Sequence, residues 1–201
     1  MDNNALGPGH VTVVSCGIFR PEIEHLARQG RFPWPVRFLE SMLHMTPSLL
    51  EAEITRLIGS LDDGPVVLLF GDCHARMSEH GSLPGVRRVR GVNCCEILLG
   101  PERYHRMLRD GVFFLLPEWT SRWEDVFIRR LGFADSRLAA QFMGEMHTRI
   151  TYLDTGVTAV PLVELERIRH FLGLPVTVEA VEAAALVRAV EESTGDGGTD
   201  G

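Results

Sequence analysis

The run Pro65-Val66-Val67-Leu68-Leu69-Phe70, bounded by Gly64 and Gly71 and continuing through Asp72 into Cys73, is the clearest strand in the chain. Six apolar residues in a row leave no polar face, so a strand built from them must be covered on both sides, as a central strand of a parallel sheet is. Val11-Thr12-Val13-Val14-Ser15-Cys16 is a second buried strand by the same reasoning, β-branched and followed by Gly17, and it too ends on a cysteine. The two stretches VVSCGIFRPE and LLFGDCHARM share one plan of apolar strand, small residue, cysteine and polar turn. Two short matches fall short of a repeat.

Reading outward, Pro21 opens a helix and Trp34 to Glu40 reads as a strand with Pro35 at its edge. Thr46-Pro47 starts an amphipathic helix over residues 48–61, with Leu49, Leu50, Ile54, Leu57, Ile58 and Leu61 on one stripe. A Gly-, Ser- and Pro-rich loop fills residues 78–86, and residues 88–91 are expected as a short strand. Asn93 is placed to cap a helix starting at Cys94-Cys95, and Pro101 restarts a second helix through Leu108 after Gly100. A buried strand is expected over 112–116, with Trp119 and Thr120 in the loop beyond Pro117. Further helices are expected over 123–131, 138–147 and 162–172, the last closed by Gly173, and strands over 149–153 and 175–178. Apolar strands alternating with helices predict an α/β fold with a mostly parallel sheet and helices on both faces, a Rossmann-like three-layer architecture. Residues 11–190 are read as a single α/β domain, 1–10 as a flexible N-terminus and 191–201 as a disordered acidic, Gly-rich tail.

The chain has 201 residues, 45% of them hydrophobic, and a net charge of −7, which fits one ordinary globular core and offers no broad positive field. Nucleic-acid and membrane partners are therefore not expected. No stretch approaches the roughly 18 apolar residues of a membrane span, and the opening MDNNALGPGH has no secretory pattern, so a cytoplasmic location is expected. All twenty basic residues are Arg. The absence of Lys removes Schiff-base pyridoxal chemistry and the P-loop, both of which need a lysine amine. Arg87, Arg88 and Arg90, like Arg129 and Arg130, are read as solvated faces.

Four cysteines remain: Cys16, Cys73, Cys94 and Cys95. In a cytoplasmic chain disulfides are not expected, which leaves metal ligation, thiol chemistry or plain burial. Cys16 and Cys73 fall at carboxyl ends of predicted strands and Cys94-Cys95 at a helix start, and such edges line the binding crevice of open α/β sheets. Thiolates converging there suit zinc or an iron–sulfur cluster without any C-x-x-C pair. His44 and His74 are the candidate further ligands, since neutral imidazole suits both metals. Adjacent helical residues point about 100° apart, so only one of Cys94 and Cys95 faces the crevice. Either one, at a helix start, is alternatively a thiol nucleophile. No G-x-S-x-G, H-E-x-x-H or G-x-G-x-x-G motif is present. Asp72, Glu118 and Trp119 follow strands and are candidate cofactor-binding residues, with Trp119 as a pocket wall.

Leu43-His44-Met45-Thr46-Pro47, Phe70-Gly71-Asp72-Cys73, Asn93-Cys94-Cys95-Glu96-Ile97-Leu98-Leu99-Gly100-Pro101-Glu102-Arg103-Tyr104 and Phe113-Phe114-Leu115-Leu116-Pro117-Glu118-Trp119 together resemble an uncharacterised prokaryotic family, the domain-of-unknown-function family sixteen-thirty-eight, over roughly residues 11–123. The resemblance implies that the family cysteines fall on Cys16, Cys73 and Cys95, with Cys94 an extra residue where the family has Asp. His74 stands where the family has Gly after the cysteine, and Glu118 where it has Gly before the Trp. The resemblance also implies a link to corrinoid-dependent methyl transfer and one-carbon metabolism, with a corrinoid or redox protein or a small-molecule substrate as partner and a homo-oligomer as an option. The expectation carried forward is a cysteine-ligated centre, iron–sulfur or zinc, on Cys16, Cys73 and Cys95 with His44 and His74 nearby, serving an enzyme or a redox partner. The rivals are a metal-free small-molecule-binding or partner-docking module with structural cysteines, and a thiol-nucleophile enzyme using Cys94 or Cys95.

Overall fold

The computed structural model describes residues 11–61 and 64–195. It contains seven strands, all in parallel pairs, among the described residues: β1 (Thr12–Cys16), β2 (Val36–Leu39), β3 (Val66–Leu69), β4 (Val86–Arg88), β5 (Val112–Leu115), β6 (Arg149–Asp154) and β7 (Val176–Ala180). Helices α1 (Arg20–Arg28), α2 (Pro47–Ile58), α3 (Met77–His80), α4 (Cys94–Leu99), α5 (Pro101–Arg109), α6 (Pro117–Ser121), α7 (Ser136–Met146), α8 (Leu162–Leu172) and α9 (Ala185–Thr194) connect and flank them. The α/β class and the parallel pairing are as the sequence predicts.

The strands form two sheets, ordered β2-β1-β3-β4 and β5-β6-β7, where the sequence pattern led to one. Periodicity specifies which residues are strands and not which strands pair, so this division is invisible to it. The chain correspondingly divides into two compact units, one running to Leu98 and resuming at Ala183, the other Leu99–Glu182, across the span read from sequence as a single domain.

In the first unit β1 and β3 lie side by side, Ser15 beside Leu69, and Val13, Val14, Leu68 and Leu69 are completely buried. The all-apolar run at 65–70 thus occupies an interior position, as its composition requires. The edge strand β2 follows Pro35, whose carbonyl accepts the Val13 N–H at 2.9 Å. From β1 the chain goes to β2 on one side, and from β3 to β4 on the other. Helix α9 packs on β3 and β4. In the second unit β6 is central, with Ile150, Tyr152 and Leu153 fully buried between β5 and β7.

Several boundaries differ from the sequence reading. Trp119 and Thr120 lie in helix α6, not in a loop, because Pro117 at its first turn starts a helix. Strand β4 begins at Val86, two residues early, and Met77–His80 forms one helical turn across the start of the expected loop. The segment expected as a helix at 123–131 forms a π-helix over Asp125–Arg130, its Asp125 carboxylate paired with Arg129 and Arg130. The tail expected to be disordered from 191 is helical through Thr194. Residues 1–10 and 196–201, read as a flexible N-terminus and as tail, lie outside the described residues.

Candidate functional site

Because β1 and β3 are neighbours whose outgoing connections diverge, a crevice opens between their carboxyl ends, the place where open α/β sheets bind ligands. Cys16 is the last residue of β1, and Cys73 follows β3 by four residues. The β3 exit is brought to the start of α4 by Gly71: a Cβ there would lie 2.4 Å from Asn93 Cα and 2.6 Å from Val92 O. The close approach is held by the Asp72 N–H, which donates to Val92 O at 2.9 Å. Gly17 does the same beside β2, its virtual Cβ lying 2.8 Å from Leu39 O. Only glycine lets backbones approach this closely.

Asn93 caps α4 as the sequence predicts, its Oδ1 accepting the Glu96 N–H at 3.0 Å, while Glu96 Oε2 accepts the Val92 N–H at 2.7 Å. This reciprocal pair fixes the first turn of α4 and with it the direction of its two cysteines. Cys94 is the one that meets the crevice. Its thiol donates a hydrogen bond to Cys16, and this bond, burial and repulsion from Cys16, Cys73 and Cys95 together hold its ionisation well above the ordinary thiol range. Cys73 is pushed up to about 11 by burial first and Cys16 second, with Arg88 opposing. Cys95 is pushed up to about 12 by burial alone. The thiols that shift one another are Cys16, Cys73 and Cys94, where the resemblance implied Cys16, Cys73 and Cys95; Cys95 adds to the shift of Cys94 but is itself shifted by burial alone.

The Cys73 and Cys94 thiols are held protonated at neutral pH. That argues against a free thiolate nucleophile, which requires a lowered pKa. The donor chemistry suits a soft cation: three sulfurs near one another repel as thiolates, and a divalent ion relieves that repulsion while displacing the protons. Among the described residues, however, no group of three or more His, Cys, Asp or Glu side chains is arranged so that it could hold a metal ion. Cys16 and Cys94 form the close pair, and Cys73 stands next to it.

Beside the thiols lies an open cavity of about 670 Å³, lined by Pro47, Asp72, His74, Ala75, Ser78 and Arg88. Arg88 is no solvated residue: it donates to Gly91 O at 3.0 Å and pairs with Asp72 Oδ1 at 3.1 Å. His74 is buried. Its Nδ1 accepts the Arg76 N–H at 3.2 Å, and burial, then His80, keep its ring neutral, so the proton sits on Nε2. His74 Nε2 is buried with no hydrogen-bond partner among the described residues, and the ring lies edge-on to His80 at 5.1 Å. His44 sits exposed in the 3₁₀ turn Ser41–Met45. Glu118 and Trp119 belong to the second unit, where Glu118 pairs with Arg122 at 2.9 Å.

Sequence reasoning missed the choice of Cys94 and the part played by Gly71. The Gly71-Asp72-Cys73 and Val92-Asn93-Cys94 stretches each carry their signal, but only the tertiary approach joins them. No helix among the described residues is long and apolar enough to cross a membrane.

A family model described as "Protein of unknown function (DUF1638)" matches residues 38–190. No curated protein matches the chain, and no solved structure does.

Proposed function

We propose that this chain, which belongs to the DUF1638 family of proteins of unknown function, binds a soft metal centre, zinc or an iron–sulfur cluster, through Cys16 and Cys94 with Cys73 as the third sulfur. The observation that carries this reading is the thiol–thiol contact of Cys16 and Cys94 at the divergence of β1 and β3, with Cys73 close enough to raise the ionisation of Cys94 and to be raised by Cys16. When bound, such a centre supplies a Lewis acid or an electron carrier at a sheet edge.

The chain's own residues divide the remaining work. Gly71 and the Asn93–Glu96 cap bring the two cysteine-bearing segments together and fix their direction. Burial keeps water from the Cys16 and Cys73 sulfurs. Arg88, held by Gly91 O and Asp72, sets a positive charge beside Cys73 and eases loss of its proton. The neighbouring cavity, within the size range of small-molecule sites, admits a polar substrate to that edge, with Asp72 and Arg88 as charged contacts.

Anaerobically purified protein should carry about one equivalent of zinc or show iron–sulfur absorbance. Cys16→Ser and Cys94→Ser should lose it while Cys95→Ser keeps it. Protein with no stoichiometric metal, and none after anaerobic reconstitution with zinc or with iron and sulfide, overturns the reading. The upward-shifted thiols favour one second reading, a metal-free small-molecule-binding module whose cysteines are structural. In that case Cys16→Ser and Cys73→Ser lose stability, metal is absent throughout, and native thiols alkylate slowly at pH 7.

A further inference from the structure

On the outer side of β4, a second cavity of about 270 Å³ is lined by Gly81, Arg87, Arg88, Arg90, Glu192 and Ser193. Three guanidinium groups within four residues stand out in a chain of net charge −7. Many other arginines are neutralised by carboxylates, such as Arg56 by Glu53, Arg76 by Glu51 and Glu79, and Arg169 by Glu166. Arg87 and Arg90 pair with no carboxylate among the described residues, and Glu192 is the one acidic residue lining their cavity.

Two features show that the space is built. Arg88 is anchored by Gly91 O and neutralised by Asp72, so it forms a fixed cavity wall while the uncompensated charge comes from Arg87 and Arg90. Gly81 has φ −67°, a conformation open to any residue, so backbone freedom does not require glycine there. A Cβ at Gly81 would instead lie 3.0 Å from Arg88 Cβ, so the missing side chain leaves room for Arg88. Ser193 Oγ donates to Ala189 O at 2.8 Å, which leaves the hydroxyl oxygen as a polar rim.

We propose that Arg87, Arg88 and Arg90 form a binding site for the phosphate group of a small molecule. Planar guanidinium forks match tetrahedral oxyanions with paired N–H donors, and several of them around one concavity select a phosphate over a singly charged carboxylate. Glu192 opposes the anion and sets a limit on affinity. The site shares only Arg88 with the thiol edge and does not depend on a metal there.

The test is calorimetric titration of the full chain with inorganic phosphate, against chloride at matched ionic strength and against acetate. Saturable phosphate binding is expected, at least about tenfold tighter than acetate. The double variant Arg87→Ala/Arg90→Ala should weaken phosphate binding by about tenfold or more, and Glu192→Gln should strengthen it. Arg109→Ala, an exposed arginine on α5, should change nothing. No saturable binding above chloride, equal binding of acetate, or the same loss in Arg109→Ala overturns the proposal. Arg87 and Arg90 are exposed, so the double variant should fold, and its metal content reports the thiol site separately.

Discussion

The two sheets of this protein are both parallel, yet their strand exits are built on opposite plans. In β2-β1-β3-β4 the exits carry all four cysteines of the chain or face the segment that does, and Gly71 is a spacer with backbone 2.4 Å from where its side chain would be. In β5-β6-β7 the exit of β5 runs straight into the Pro117-led helix α6. The exit of β6 turns at Gly156, which has φ +69° and open space around it. One glycine is required by crowding and the other by conformation. Crowding draws distant sequence together, whereas a left-handed turn only reverses the chain, and only the first plan yields a side-chain cluster.

The largest expected effect sharpens this contrast. Gly71→Ala should cost about 3 kcal/mol in urea unfolding, because backbone atoms must shift. Gly156→Ala should cost about 1 kcal/mol from the positive φ alone. Equal costs would erase the distinction.

Next is pH. The Cys73 thiol titrates near 9.0 when exposed and at about 11 when folded, so between those values the unfolded chain has lost a proton that the native chain retains. Stability of metal-free protein is therefore full below about pH 9 and falls by on the order of 2 kcal/mol as pH rises through about 11. Cys73→Ala should flatten that part of the curve. A variant that keeps the wild-type slope shows that Cys73 is not buried among thiols.

The smallest effects compare two helix caps. Asn93→Ala in the first unit and Asp135→Ala in the second, whose Oδ1 accepts the Leu138 N–H at 2.9 Å, should each cost about 1 kcal/mol. Only Asn93→Ala should speed alkylation of Cys94, read by mass spectrometry, because only that cap aims a thiol. Equal acceleration in both would reduce the cysteine geometry to general loosening.

Much of this was legible in the chain itself. The fully apolar run at 65–70 and the β-branched run at 11–16 read as covered strands, and cysteines at their ends point to the carboxyl edge. Asn93 announces its cap, and Gly173 closes α8 with φ +67° as expected. What sequence could not decide is rotation and pairing. Cys94 and Cys95 differ by one step around a helix whose orientation is set by Gly71 packing on Asn93, a contact between residues 22 apart in the chain. The split into two sheets likewise rests on which strands pair, a property of no single segment. Helix α6 was hidden because Pro117 reads equally as a strand stop and a helix start.

Cobalt(II) titration of the metal-free protein tests the central claim most directly, since thiolate-to-cobalt absorption appears only when sulfurs bind the ion. That absorption should appear in wild type and in Cys95→Ser, and be lost in Cys16→Ser and Cys94→Ser. Absorption that survives in Cys94→Ser and vanishes in Cys95→Ser, or that is missing from wild type, would contradict the claim.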